Sequence, residues 1–221
     1  RTVLAAIMEK GIDVFDLGVA PTPFVFRESI KYGNAIIVTA SHNPLEWNGL
    51  KFVINGRGMF EEELDSIQQQ HATSSTGFGK LYHINSKYIL DILEFMRKNR
   101  YLDDGRKRTN TVGLDPGGGA LSSFIPKLYD SLNQDFLSVN DIAGISSRSP
   151  DPTTDDLFEL RKLVLSKKLD LGFAFDMDAD RLVVVDRNGN KLSTDLTLLL
   201  CIASTLYHGA KKFVVSIDTS N

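Results

Sequence analysis

The sequence predicts an α/β protein: two consecutive small three-layer α/β/α domains with mixed, mainly parallel sheets, followed by the start of a third. Three observations predict it. Apolar runs of strand length, such as 35–39, 111–115, 169–174 and 182–185, alternate with stretches whose apolar residues recur at helical spacing. Gly11, Gly33, the pair Asn55-Gly56 and the pair Asn188-Gly189 punctuate those runs as stops and turns. The alternation occurs twice, on either side of a polar stretch at 103–110 that reads as a linker. The expected boundaries are 1–84, 85–189 and 190–221.

In chain order, Val3, Leu4, Ile7 and Met8 give residues 2–10 a helical face that Gly11 closes. Residues 12–19 read as a strand ending at the breaker Pro21-Thr22-Pro23, and 24–32 as a second helix closed by Gly33. The run Ala35-Ile36-Ile37-Val38-Thr39 predicts a strand of the fully buried kind, leading into Ala40-Ser41-His42-Asn43-Pro44. A further strand is expected over 50–54, turned by Asn55-Gly56, then a helix over 61–70 with an acidic first turn and a Ser/Thr/Gly-rich loop over 71–80. The second half reads as a helix over 85–101, a strand over 111–115 and a tight turn at Gly117-Gly118-Gly119. A helix over 121–132, a short strand over 135–139 and an irregular stretch over 140–154 follow. Thr154-Asp155-Asp156 caps a helix to about 168, strands flank residues 176–181, a helix spans 194–207 and a last strand 212–217.

Of 221 residues, 42% are hydrophobic and 24% charged, the balance of a globular protein with a real core. A net charge of −3 without a basic cluster gives no field for nucleic acid, and no apolar run reaches the roughly 20 residues of a membrane span. A single cysteine, Cys201, excludes a disulfide framework, and no signal peptide is visible, so a reducing, cytoplasmic setting is expected. The chain starts without Met inside a helical pattern and stops just after a strand-like run. It is therefore expected to be a piece of a longer protein, cut at both ends.

The chemistry concentrates at two strand ends, where open α/β sheets gather functional loops. In Phe175-Asp176-Met177-Asp178-Ala179-Asp180-Arg181, three carboxylates alternate between two apolar strands and repel one another unless a cation compensates. Oxygen ligands so close suit a hard divalent ion, Mg²⁺ above all, and a plain acidic turn is the alternative. About 135 residues earlier, Ser41 leaves a strand beside His42; it can be a nucleophile or phosphate carrier, or simply a turn residue. Lys51 opens the next strand, where a solvated strand end is the ordinary explanation. The glycines 117–119 fit neither a Rossmann nor a P-loop spacing.

Taken together, Thr39-Ala40-Ser41-His42-Asn43-Pro44, Asn48-Gly49-Leu50-Lys51 and Asp176-Met177-Asp178-Ala179-Asp180-Arg181 resemble the α-D-phosphohexomutases in content, order and separation. That family comprises phosphoglucomutases, phosphomannomutases and phosphoglucosamine mutases. Gly18-Val19-Ala20-Pro21-Thr22-Pro23, Asp115-Pro116-Gly117-Gly118-Gly119 and Pro150-Asp151-Pro152 add weaker matches. The resemblance implies a Ser41 that carries a phosphoryl group and exchanges it with a hexose phosphate through a bound hexose bisphosphate, moving phosphate between the 1- and 6-positions. It implies Mg²⁺ held by Asp176, Asp178 and Asp180 together with the Ser41 phosphate. Arg181 is then the partner of the phosphoryl group or the acidic loop, and His42 and Lys51 assist proton transfer. Two other functions stay open: a metal-dependent sugar phosphatase or phosphotransferase, and a non-catalytic sugar-phosphate-binding relic. The family commonly carries glycines between its loop carboxylates, where Met177 and Ala179 stand here. Since such residues tolerate positive φ poorly, the loop is expected to use conformations open to any residue. The family's opening strand and its later sugar- and phosphate-binding loops have no counterpart in the 221 residues, and the segment from about 190 is expected to begin a third domain.

Overall fold

A computed structural model describes residues 1–69, 77–98, 111–132 and 135–214. The chain divides into two compact units, one of residues 1–38 and 49–87, the other of residues 39–48 and 88–221.

The first unit runs α1 (Thr2–Met8), β1 (Val14–Asp16), α2 (Thr22–Tyr32), β2 (Asn34–Val38), β3 (Leu50–Ile54), β4 (Arg57–Gly58), α3 (Glu61–Gln69) and β5 (Leu81–His83). β1 pairs in parallel with β5, and β2, β3 and β4 form a separate antiparallel sheet. Pro21-Thr22-Pro23 does not break the chain between strand and helix: Pro21 is the cap of α2 and Pro23 lies in its first turn. Proline is harmless there because the first N–H groups of a helix have no intrahelical acceptor. Gly33 closes α2 at φ 87°. Asn55 and Gly56, both at positive φ, make the expected two-residue turn between β3 and β4. Val25, Ile37 and Val53 form the core of this unit, with Leu17, Ala20, Phe26 and Ala35 against it. The expectation of a fully buried strand over 35–39 is not met: Val38 is 57% exposed, and only Ile37 of β2 is buried. An antiparallel sheet needs only one covered face, so an apolar run alone overstates burial. At α3, Glu63 accepts from the Phe60 N–H just before the helix at 2.7 Å and pairs with both Arg57 nitrogens.

The second unit contains α4 (Tyr88–Lys98), β6 (Val112–Asp115), a 3₁₀ turn (Ala120–Phe124), α5 (Ile125–Leu132), β7 (Phe136–Ser138), α6 (Phe158–Lys167), β8 (Leu171–Phe175), β9 (Leu182–Asp186) and α7 (Thr194–Tyr207). Its sheet has the order β7-β6-β8-β9; β7, β6 and β8 are parallel and β9 is antiparallel to β8. The α/β class with mixed sheets is thus the one adopted. Leu157, Leu160, Val164, Leu169, Ala174, Val183 and Val185 form the core, most of them without solvent exposure. Gly113 and Gly172 are cross-strand neighbours beneath α6. A Cβ at Gly172 would meet Val164 at 2.9 Å, so the absent side chains let the helix lie close on the sheet. Asp155 and Asp156 do cap the entry to α6, accepting from the Leu157 and Phe158 N–H groups. Among the described residues no helix is long and apolar enough to cross a membrane. The expected linker at 103–110 lies outside the described residues, as do 71–76 of the expected loop and 215–217 of the expected last strand. Residues 212–214 of that strand carry no strand pairing.

Candidate functional site

Antiparallel pairing of β8 with β9 puts Phe175 opposite Leu182, so residues 176–181 are the connection between two core strands. The strands bury whatever begins that connection: Asp176 has no solvent exposure and Asp178 4%, while Asp180 is exposed. One carboxylate oxygen from each of the three lies within 4.8 Å of the others. At that separation each like-charge pair costs about 3–4 kcal/mol in a medium of effective dielectric ~20. Burial, with the charges of Asp178 and Asp180 adding to it, pushes the Asp176 carboxyl up to about 6.

Donors from the loop itself offset part of that repulsion. Asp176 Oδ1 accepts from the N–H groups of Asp180 and Arg181, each at 3.1 Å, and the Ala179 N–H donates to the Asp176 carbonyl. This tight wrap requires a left-handed residue, and Ala179 takes it at φ 57°. The expectation that ordinary residues would spare the loop such a conformation is therefore wrong at Ala179; Met177 stays outside the left-handed region. Alanine pays for closing the loop around Asp176. Ala179→Gly is expected to raise stability by about 0.5–1 kcal/mol, measured by urea unfolding, once the greater chain freedom of glycine is offset.

The serine loop belongs to the same unit. The Ser41 hydroxyl donates to Asp176 Oδ2 at 3.0 Å, and Thr39 Oγ1 donates to Asp178 Oδ2 at 3.1 Å. Thr39 Oγ1 also accepts the Ser41 N–H at 2.8 Å, holding Ser41 at φ 53° with its side chain toward the carboxylates. His42 Nδ1 lies 3.4 Å from Ser41 Oγ. Arg181 Nη1 lies 3.8 Å from Asp151 Oδ2. Burial acts to raise the Asp151 carboxyl, but the Thr153 hydroxyl and N–H, with the charges of Arg181 and His42, outweigh it and hold it below its ordinary range. Ser41, His42, Asp176, Asp178, Asp180 and Arg181 are thus gathered in one unit. Lys51 is a half-buried residue of β3, opposite Ile37, in the other.

The donor set suits a hard cation. Three carboxylate oxygens spread over at most 4.8 Å compare with about 4.2 Å across a Mg²⁺ octahedron, and the Ser41 hydroxyl stands at the same edge. A cation would also reverse the repulsion that raises Asp176.

Sequence reasoning missed what supports the loop. Arg148, with a side chain only 4% exposed, pairs through Nε with Asp115 Oδ2 at 3.0 Å and donates through Nη2 to the Phe175 carbonyl. Asp115 also accepts from the Gly117 N–H and from Asn140. The glycines 117–119 form a tight turn, as expected, but with a second purpose. A Cβ on Gly119 would lie 2.4 Å from the Met177 carbonyl oxygen, which accepts the Ala120 N–H at 2.7 Å. Arginine in an irregular stretch 33 residues from its partner leaves no periodic signal to read.

Comparison with known proteins finds relatives of the chain. Residues 1–77 match the family model described as phosphoglucomutase/phosphomannomutase, alpha/beta/alpha domain I, and residues 86–189 match domain II of the same description. The chain is 34% identical to the phosphoglucosamine mutase of Clostridium beijerinckii, covering 90% of this chain and 46% of that protein. It is 31% identical to a phosphoglucomutase/phosphomannomutase of Thermococcus kodakarensis, covering 99% and 50%. The crystal structure of a phosphoglucomutase/phosphomannomutase family protein from Burkholderia thailandensis shares the fold, with a TM-score of 0.72 and 23% identity over 91% of this chain and 46% of that one. The chain spans about half the length of the curated relatives it matches.

Proposed function

This chain belongs to the phosphoglucomutase/phosphomannomutase family, the α-D-phosphohexomutases, and we propose that it is the part of such an isomerase that carries the phosphoryl group and the divalent cation. The reaction is reversible transfer of phosphate between the 1- and 6-hydroxyls of a hexose phosphate. The observation that carries the reading is the hydrogen bond from Ser41 to Asp176 inside the acidic triad, because it joins a phosphate-accepting hydroxyl to an oxygen cage.

Phosphoryl transfer needs in-line placement and charge stabilisation more than covalent help. The Ser41 oxygen carries the phosphoryl group. Its O–P bond breaks as a sugar hydroxyl forms one, giving the hexose bisphosphate, and the second phosphate of that intermediate then returns to Ser41. His42 and Lys51 take the proton from the attacking hydroxyl and return it to the leaving oxygen. Thr39 fixes the Ser41 backbone, and Arg181, steadied by Asp151, places positive charge beside the exposed end of the triad. Asp176, Asp178 and Asp180, together with the Ser41 phosphate, would hold Mg²⁺, which would neutralise charge on the transferring group. We assign residues 1–84 to a first domain, whose serine loop at 39–48 groups with the second compact unit, 85–189 to the metal-bearing domain and 190–221 to the start of a third. In the last, Leu196, Leu199, Leu206 and Tyr207 of α7 are all more than half exposed, the surface of a helix made to be covered. The working setting is the cytoplasm.

The test is the intact mass of the full-length protein after incubation with a hexose 1,6-bisphosphate and Mg²⁺. The expected result is an increase of one phosphoryl group that phosphatase removes and Ser41→Ala prevents. A Ser41 that never takes up phosphate would overturn the reading, and phosphate release without isomer formation would mark a phosphatase instead. Glucose, mannose and glucosamine phosphates are the substrates to assay.

A further inference from the structure

The Arg148–Asp115 pair is buried on both sides, with 4% and 1% of the side chains exposed. A buried pair costs desolvation of two ions and is weak evidence of a purely stabilising purpose. What distinguishes this one is the use of the remaining guanidinium donors. Nη2 reaches the Phe175 carbonyl at 2.5 Å and the Asp115 carbonyl at 3.3 Å, and Nη1 reaches the Ser149 carbonyl at 2.9 Å. The Phe175 carbonyl belongs to the peptide that carries the Asp176 N–H, so Arg148 sets the plane from which the acidic loop departs. Farther along, the Ala120 N–H holds the Met177 carbonyl, and the Asp180 and Arg181 N–H groups hold the Asp176 carboxylate. The loop is pinned at entrance, middle and exit, and Arg148 is the entrance pin. Asp115 in turn fixes Arg148 and neutralises it, so that no net positive charge sits under the site where a cation is to bind. Asn140 orders this pair, donating to Asp115 Oδ2 at 3.1 Å while its side-chain Oδ1 accepts from the N–H and hydroxyl of Ser147.

We infer that Arg148, held by Asp115 and Asn140, is a positioning residue that sets the spacing of Asp176, Asp178 and Asp180 and thereby both the affinity of the site for a divalent cation and its preference for a small one. This rests on the proposed metal-binding role of the triad. The physical reason for the second effect is that Mg²⁺ demands a tight octahedron, while Ca²⁺ accepts a wider and more variable shell. A loop released at its entrance loses the small ion before the large one.

The experiment measures Mn²⁺ binding by the electron paramagnetic resonance of the free ion, and displacement of Mn²⁺ by Mg²⁺ and Ca²⁺, in the parent chain and in Arg148→Lys. Lysine keeps the charge opposite Asp115 but cannot reach Asp115 and two carbonyls together. The expected result is a loss of about 10- to 100-fold in Mn²⁺ affinity, the range typical of residues that orient metal ligands, with Mg²⁺ weakened more than Ca²⁺. Leu160→Ala, a core substitution on α6 against the sheet, is the control for general destabilisation and leaves the Mg²⁺/Ca²⁺ ratio unchanged. The double variant Arg148→Met with Asp115→Asn removes both charges, strands neither, and carries the same readouts should the lysine variant not fold. A parent that binds and variants that bind with its affinity and ratio overturn the inference alone. A parent that binds no divalent ion overturns the metal-site reading and this inference with it.

Discussion

With the triad as the metal site and Ser41 as the phosphate carrier, as proposed, Asp178→Asn is expected to lower the affinity for Mn²⁺ or Mg²⁺ by more than ~100-fold and to slow phosphoryl exchange at Ser41 by about 10²–10³-fold, with the fold intact. Asp178 is the substitution to make because Asp176 also ties down the Asp180 and Arg181 N–H groups, and changing it would confound binding with loop collapse. Asparagine preserves volume and an oxygen acceptor for the Thr39 hydroxyl, which donates to Asp178 Oδ2 in the parent. The lost charge also relieves part of what pushes the Asp176 carboxyl up to about 6, burial being the larger cause, so that carboxyl is expected to move downward in the variant. The direction of the pH dependence follows. A cation and a proton would compete for Asp176, so apparent metal affinity in the parent is expected to be full only well above about 6 and to fall by up to about tenfold per unit below it. Calorimetric titration at pH ~7.5 and ~5 reads the difference, with proton release growing as the pH approaches the carboxyl's own value. Parent-like affinity in Asp178→Asn would remove the triad from the metal site.

Asp115→Ala costs about 3–5 kcal/mol of stability, the largest single loss expected outside the hydrophobic core. The carboxylate is 1% exposed and gathers three donors, from Gly117, Asn140 and Arg148. Removing it takes from a buried guanidinium the carboxylate it is hydrogen-bonded to, leaving the more distant charge of Asp155, and frees the Gly117 turn that seats the 3₁₀ segment. Removing both charges together is expected to cost far less, because no ion is then stranded. The contrast between the single and double variants in urea unfolding is the measurement. If both cost less than ~1 kcal/mol, the pair is dispensable and the loop is held by its backbone bonds alone.

The sequence by itself determined the α/β alternation, the Asn55-Gly56 turn, the helix over 194–207 and the placement of the acidic stretch between two core strands. All of these rest on local rules: side-chain periodicity, glycine conformations and runs short enough to be read along the chain. It also singled out Ser41, His42 and the three aspartates as candidates, each with an ordinary structural alternative when read alone, and only their combined resemblance to the phosphohexomutases gave them proposed roles. The tertiary structure decided what no local rule carries. It brought Ser41 within 3.0 Å of Asp176, across 135 residues of chain. It showed a strand over 34–38 with an open face where an apolar run suggested burial, because burial is a property of what packs above the strand. It put Ala179 in a left-handed conformation, since closing a loop around Asp176 outweighs the preference of one residue. And it enlisted Arg148 and Asp115, two ordinary letters in the sequence, because a buried charge acquires its meaning only from the groups that the fold sets around it.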